Sequence, residues 1–405
     1  MALAELFLEP DRIDTVFGKI VTKNDDSGRH GVLIPVPAYS LFPAIPDFDP
    51  ESGLNYTVPI QTLWRTPSGS ASRTSSYKHY HRYPERRITA LGSRQLDNAA
   101  MGTLIIFGRR SGDSHSYEVV ILDPEHPSYA PTIADIGLAG ASPGFFALLR
   151  NWRSARDFSG NSAAVQELID RFDLLSAEGF VPSLRPGGNR GVGNTFEIRM
   201  GGSENNRAQA DVLGVELKSM MRRDFETGAF GDADLFLKEP IWVDGISKGA
   251  ERVRAYGYVD DDGRVALYSG VKAKPNGHGL SLHVNRVESR LELLRLGAFV
   301  GYWSFDSLQT PLNDKLTETL YGLADAKMIA STEHYFYHTL IYCSQPSMEG
   351  FLELVAVGAV SLQIRMHVRD TGVLRNHGSQ FRVSTNRWSG LFAVVRELRR
   401  RSRSA

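Results

Sequence analysis

Three residues near the middle of the chain could do metal chemistry together: Asp211, Glu216 and Lys218, in the stretch DVLGVELK. If residues 213–218 run as a strand, Glu216 and Lys218 project from one face, because side chains alternate with a period of two. Asp211 can converge on them across a bend at Leu213-Gly214. Two carboxylates offer hard oxygen ligands of the kind Mg2+ takes. A metal held there polarises a phosphate and generates hydroxide, and a neighbouring lysine orients the water or stabilises developing negative charge. The same spacing also describes a solvated ion pair on a strand face, so the triplet alone leaves both readings open.

Upstream stands a glycine-rich stretch, GNRGVGNT, from Gly188 to Thr195. Gly188, Gly193 and Thr195 fit the phosphate loop G-x-x-x-x-G-K-[ST], but Asn194 occupies the lysine position. The charge that would reach the β- and γ-phosphates is therefore missing. No apolar strand ending in Asp offers a Walker B partner, so no nucleotide cofactor is expected. The glycines read instead as a tight turn.

The elements that must position these residues change character along the chain. VFGKIVTKND, HGVLIPVPAY, LNYTVPIQTLW, RRITALG, TLIIFGRR and SYEVVILDP are short β-branched or aromatic runs bounded by Gly, Pro, Asp or Ser. They predict a small all-β barrel or sandwich over residues 1–128. The Pro-, Gly- and Ala-rich passage at 129–145 reads as a linker. From 146 to 405 the pattern is α/β: FFALLRNWRSAR and SAAVQELIDRFDLLSAEG have helical spacing, while EHYFYHTLIYCS and AVSLQIRMHVRD read as strands. RELRRRSRSA at the C-terminus reads as a fraying basic helix end.

Bulk properties narrow the classes. At 405 residues the chain exceeds one compact core. Lys+Arg and Asp+Glu both number 46, which excludes a globally basic nucleic-acid coat but not basic patches. The single cysteine, Cys343, excludes an intrachain disulfide and a Cys-rich zinc site, and its apolar setting predicts a buried thiol. With no signal-peptide pattern and no run of 18 apolar residues, a cytoplasmic protein without a membrane partner is expected.

The longer run GVGNTFEIRMGGSENNRAQADVLGVELKS resembles the signature of the MvaI/BcnI family of type II restriction endonucleases, in which G-x-G-x-T-L-E, an Asn-containing spacer, Asp and G-[IV]-E-L-K-S follow in order. The resemblance implies a PD-(D/E)xK nuclease core with Asp211, Glu216 and Lys218 as catalytic triplet, Asp211 and Glu216 holding Mg2+, and Glu197 as accessory acid. Phe196 replaces the family's usual leucine. The segment IRMHVRDTGVLRNHGSQFRV resembles the family's recognition strand and H-G-[ST]-x-F-R hairpin. That puts Arg365, His367 and Arg369 on one strand face, followed by Arg375, His377 and Arg382. Arginine suits bidentate contacts to guanine O6 and N7. His367 departs from the acid expected at its position.

The N-terminal stretch FGKIVTKNDDSGRHGVLIP is similar to the opening of EcoRII-type effector-binding domains, a β-pseudobarrel that holds a second copy of the recognition site. Lys23, Asn24, Asp25, His30 and Pro35 match that pattern in order. SSYKHYHRYPERRITALG, with Lys78, His81, Arg82, Glu85 and Arg87, resembles the opposite arm of the same clamp. Interleaved Tyr77, Tyr80 and Tyr83 suggest a strand with an inward aromatic face.

Together the resemblances imply an N-terminal all-β pseudobarrel DNA-binding domain joined to a C-terminal α/β restriction-endonuclease-like domain. The implied activity is that of a monomeric type IIE enzyme cutting double-stranded DNA at CCWGG, with a companion DNA methyltransferase in the host. A repair nuclease that nicks DNA on the same core, resembling MutH, and a non-catalytic DNA-binding protein remain alternatives.

Overall fold

The computed structural model describes the chain except for residues 1, 26–30, 47–52, 67–68, 82–84, 92–95, 97–100, 154–162, 186–190, 203–211, 222–230, 370 and 402–405. A short helix α1 (Ala2–Glu5) precedes β1 (Ile13–Ile20), β2 (Val32–Ile34), β3 (Tyr56–Thr66), β4 (Gly69–His79), β5 (Arg86–Thr89), β6 (Leu104–Arg110) and β7 (Ser116–Leu122). Helix α2 (Tyr129–Asp135), β8 (Phe146–Arg150), α3 (Ala163–Ala177), β9 (Val181–Pro182), α4 (Gly191–Arg199) and β10 (Glu216–Met221) follow. Next come β11 (Asp232–Leu237), β12 (Ile241–Trp242), α5 (Gly249–Tyr256), β13 (Tyr258–Val259), β14 (Val265–Val271), β15 (Leu280–Asn285), β16 (Arg290–Arg295), β17 (Ala298–Ser304) and α6 (Phe305–Leu316). The chain closes with β18 (Glu318–Ile329), β19 (Thr332–Pro346), α7 (Met348–Ala356), β20 (Val360–Val368), β21 (Leu374–Ser384) and β22 (Phe392–Arg400).

Two compact units form. One holds residues 1–230, 318–345 and 392–405; the other holds 231–317 and 346–391. In the first, a large sheet runs in the order β10-β18-β19-β22-β8-β1-β6-β7-β3-β4-β5-β2, with β9 beside β19. Its β10–β18 and β3–β7 pairs are parallel, whereas β1 is antiparallel to both β6 and β8. In the second unit β11-β21-β20-β14-β13 form one sheet and β12-β17-β16-β15 another. The overall class is mixed α/β.

Several elements differ from the sequence reading. FFALLRNWRSAR carries helical spacing, yet Phe146–Arg150 is a strand between β1 and β22. A short apolar run fits a buried strand as well as a buried helix, and only its neighbours decide. The basic C-terminal segment is also a strand as far as Arg400, and 402–405 lie outside the described residues: Arg396 Nη1 donates to Gly137 O at 3.1 Å, and buried Glu397 accepts from Arg400 Nε at 2.5 Å. Charges engaged in this way stabilise the strand rather than fray it. The passage read as linker holds α2, with Thr132 and Ile133 buried. The glycine stretch is not a tight turn where it is described, since Gly191 and Gly193 open α4.

Helix α3 follows its pattern, burying Val165, Leu168, Ile169, Phe172 and Leu175 at three- and four-residue spacing. Its core is shared with N-terminal residues such as Phe7, Ile13 and Val16, and with Phe196, Leu217 and Leu320. The seat of α4 is the contact that matters most for the candidate site. The Phe196 ring lies 5.1 Å from that of Tyr337 and 6.4 Å from that of Phe172. Tyr337 OH donates to Val192 O at 2.7 Å, and Leu184 N donates to Thr195 Oγ1 at 3.0 Å. Beneath Phe196 lies Gly322 of β18, where a Cβ would stand 2.6 Å from the ring. Gly322→Ala should therefore destabilise the fold by about 1–3 kcal/mol, as overpacking does. Urea denaturation measures this, and Phe196→Leu in the same chain should restore part of the loss.

Candidate functional site

The approach to β10 is a two-residue turn. Val212 and Val215 exchange backbone hydrogen bonds of 3.1 and 2.8 Å, and Leu213 and Gly214 between them have φ of 52° and 81°. Glycine adopts that conformation freely, whereas for leucine it costs about 1–2 kcal/mol. The bend expected at this dipeptide is thus present. The chain then enters β10 at Glu216, buried to 2% exposure, with half-buried Lys218 two residues on. Lys218 Nζ donates to Glu216 Oε1 at 2.8 Å.

Alternation places this pair on the face of β10 opposite Leu217, which points into the core. Parallel pairing sets Glu216 beside Thr319 and Lys218 beside Tyr321. Tyr321 is fully buried, and burial first, then Cys343 and Glu216, hold its hydroxyl well above the usual phenol range. It is a neutral wall behind the carboxylate. Burial likewise raises the Cys343 thiol, so it is an inert structural group rather than a nucleophile.

Helix α4 packs through Phe196 on the other face of the sheet, and Glu197, next in that helix, is half-buried. Asp211 lies outside the described residues. A divalent cation matches Glu216 in chemical kind, a buried hard oxygen donor with a lysine alongside. Among the described residues no group of three or more His, Cys, Asp or Glu could hold a metal, so a complete site would depend on Asp211.

The second unit carries the basic hairpin. An open cavity of about 600 Å3 is lined by Arg264, Tyr268, His367, Arg369, Thr371, Arg375 and His377. Four of the six hairpin residues singled out in the sequence meet here. Arg365 is exposed on β20, with Nη2 donating to His377 O at 3.5 Å. Arg382 is committed elsewhere: its Nε donates to Asp234 Oδ1 at 2.7 Å and its Nη2 to Asp232 O at 2.8 Å, bracing β21 against β11. Sequence reasoning missed Tyr268 and Arg264, since only the β14–β20 pairing brings them to His367.

In the N-terminal strands the two segments resembling a clamp do meet. Arg87 Nη1 donates to Asn24 O at 3.1 Å, and Glu85 lies 3.9 Å from Arg87 Nη2. Lys78 sits directly opposite Arg87 across β4 and β5. Lys23 and Asn24 are exposed, and His81 Nδ1 lies 2.9 Å from Asn55 Oδ1. His30, Arg82 and Tyr83 lie outside the described residues. Tyr77 is buried on β4, as an inward aromatic face requires, whereas Tyr80 follows the strand.

Asp25 departs from the expected surface role. It is buried, accepts from Lys19 Nζ at 2.6 Å and Leu33 N at 2.9 Å, and also receives Thr22 N and Oγ1. It ties the β1–β2 connection from inside. Burial outweighs the attraction of Asp25 and lowers the Lys19 pKa.

The Glu216–Lys218 pair at the head of β10 lies inside the span of a family match, and that match gives the class of protein, a site-specific DNA nuclease. The chain belongs to the MvaI/BcnI restriction endonuclease family, which matches residues 169–392, more than half its length. It is thus a type II restriction endonuclease, and DNA is its partner.

Among solved structures it is similar to the MvaI–cognate DNA substrate complex at 22% identity and TM-score 0.46, covering 57% of this chain and 98% of that one. MvaI without DNA gives 22% identity and TM-score 0.39, over 57% and 97%. The B3 domain of UbaLAI restriction endonuclease with cognate DNA gives 33% identity and TM-score 0.27, over 34% and 87%. No curated protein sequence matches. No helix among the described residues is long and apolar enough to cross a membrane.

The Lys19–Asp25 pair yields a stability prediction. Asp25→Ala leaves the ammonium of Lys19 buried without its carboxylate, so a loss of about 3–5 kcal/mol is expected in urea denaturation. A loss confined to DNA binding, with stability unchanged, would return Asp25 to the surface role.

Proposed function

We propose that this chain is a UbaLAI-like type IIE restriction endonuclease. In this reading residues 146–405 carry out Mg2+-dependent hydrolysis of duplex DNA at CCWGG, and residues 1–128 stimulate them when holding a second copy of the site. The observation that carries the catalytic part is the 2.8 Å contact of Lys218 with Glu216 at the head of a buried strand, inside the family-matched span. Bound by Asp211 and Glu216, Mg2+ would polarise the scissile phosphate and lower the pKa of a coordinated water.

The chain's own groups do the rest. The Lys218 ammonium pairs with Glu216 and stands where it can orient the attacking water and offset charge developing on the phosphate. Glu197 serves as accessory acid. His367, Arg369, Arg375 and His377 read base edges, Arg365 contacts the duplex, and Arg382 braces the hairpin that presents them. As a monomer the enzyme cuts one strand and then reorients to cut the other, and a companion methyltransferase protects host DNA.

The N-terminal reading draws support from an electrostatic mismatch. Like charges directly opposite on paired strands are destabilising, so Lys78 and Arg87 form a surface that a phosphate backbone relieves. Lys23, Asn24, His30, His81, Arg82 and Glu85 complete the second DNA-binding site in this reading.

Cleavage of a one-site plasmid in Mg2+, with and without a CCWGG duplex oligonucleotide, tests the whole. Double-strand fragments that increase with the oligonucleotide are expected; nicks alone favour the repair-nickase alternative. Glu216→Gln should bind the duplex yet lose at least about 100-fold in cleavage rate, and retained cutting would sink the site assignment. Removing both Lys78 and Arg87 should abolish stimulation while cleavage continues at its unstimulated rate.

A further inference from the structure

The arginines around the cavity in the second unit explain attraction for a polyanion but not what is read there. One contact inside it is more specific. Tyr268 Oη lies 2.6 Å from Nδ1 of His367. Across the β14–β20 pairing, His367 faces Ala266 directly, and the small alanine leaves space for Tyr268, two residues along, to approach diagonally. The His377 ring closes another side, 5.8 Å from His367.

A 2.6 Å contact between a phenol and an imidazole contains a hydrogen. The phenol O–H is the stronger donor of the two and a bare ring nitrogen the stronger acceptor, so Tyr268 donates and Nδ1 accepts. The neutral ring then carries its own hydrogen on Nε2. Its surroundings act in the same direction. Desolvation, followed by Arg264, His377, Arg375 and Arg369, lowers the His367 pKa below the ordinary histidine value, which leaves the ring neutral at neutral pH.

We propose that Tyr268 is a positioning residue that holds His367 as an Nε2–H donor, so that His367 reads a hydrogen-bond acceptor on a base, the O6 or N7 edge of guanine. An acid at position 367 would do the opposite and accept from the amino group of cytosine. The inference rests on the reading of this cavity as DNA-facing, and it goes further by assigning the polarity of one contact.

Two measurements test it and separate the layers. Nitrogen-15 NMR of the free protein, with His367 assigned by its loss in His367→Ala, should show a bare Nδ1 and a protonated Nε2; Tyr268→Phe should shift the ring toward a mixture. A protonated Nδ1 in the unsubstituted protein overturns the proposal. The second measurement uses sites in which each guanine in turn is replaced by 7-deazaguanine or 6-thioguanine.

One such replacement should lower kcat/KM about 5- to 150-fold, the worth of one base contact. In Tyr268→Phe and His367→Ala that penalty should approach unity while penalties at other guanines persist. A purely structural role for Tyr268 would instead slow all substrates alike. If His367→Ala leaves every substrate unaffected, the DNA-facing reading of the cavity itself fails. If His367→Ala removes the penalty but Tyr268→Phe keeps it in full, only the positioning role falls.

Discussion

The packing of Phe196 on Gly322 is the constraint from which the candidate active site follows. A glycine in β18 lets an aromatic ring approach the sheet closely, and that ring anchors α4 against it. Once β10 is held parallel to β18 with Leu217 in the core, period-two alternation forces Glu216 and Lys218 to the opposite face. The pair is set by the packing beneath it, and its 2.8 Å contact expresses that registry.

Charge in this protein is organised locally, which is how a net charge of zero coexists with basic clusters. Some basic side chains are tied down inside. Lys19 is neutralised by Asp25, and Arg252 by Asp244, over the ring of Trp242 at 4.2 Å. Others face a like charge, as where Lys78 opposes Arg87, whose nearby acid Glu85 lies 3.9 Å away on the surface. Buried pairs hold loops, whereas clustered like charges store repulsion that a polyanion can relieve. Arg382 shows the difference: sequence placed it with the DNA-facing residues, and its bonds to Asp234 and Asp232 place it among the braces.

Histidines divide in the same way by their partners. His367 takes its polarity from a tyrosine on another strand, so its chemistry belongs to the pair rather than to the residue. The two are 99 positions apart in the chain. No local pattern could have joined them.

What the sequence determined by itself was local and periodic. The Glu-x-Lys alternation, the bend at Leu213-Gly214, the amphipathic α3 and most N-terminal strands were all legible, because each depends on residues a few positions apart. The ordered run from Gly191 to Lys218 also carried the family, whose match spans it. Tertiary structure decided the rest. FALLR became a strand because β1 and β22 offered it backbone partners, and the basic C-terminus became one because β8 did. Asp25 turned inward because Lys19 was buried beside it. These outcomes depend on hydrogen-bond partners and counter-charges that arrive from distant parts of the chain, and a linear pattern contains no information about which will come.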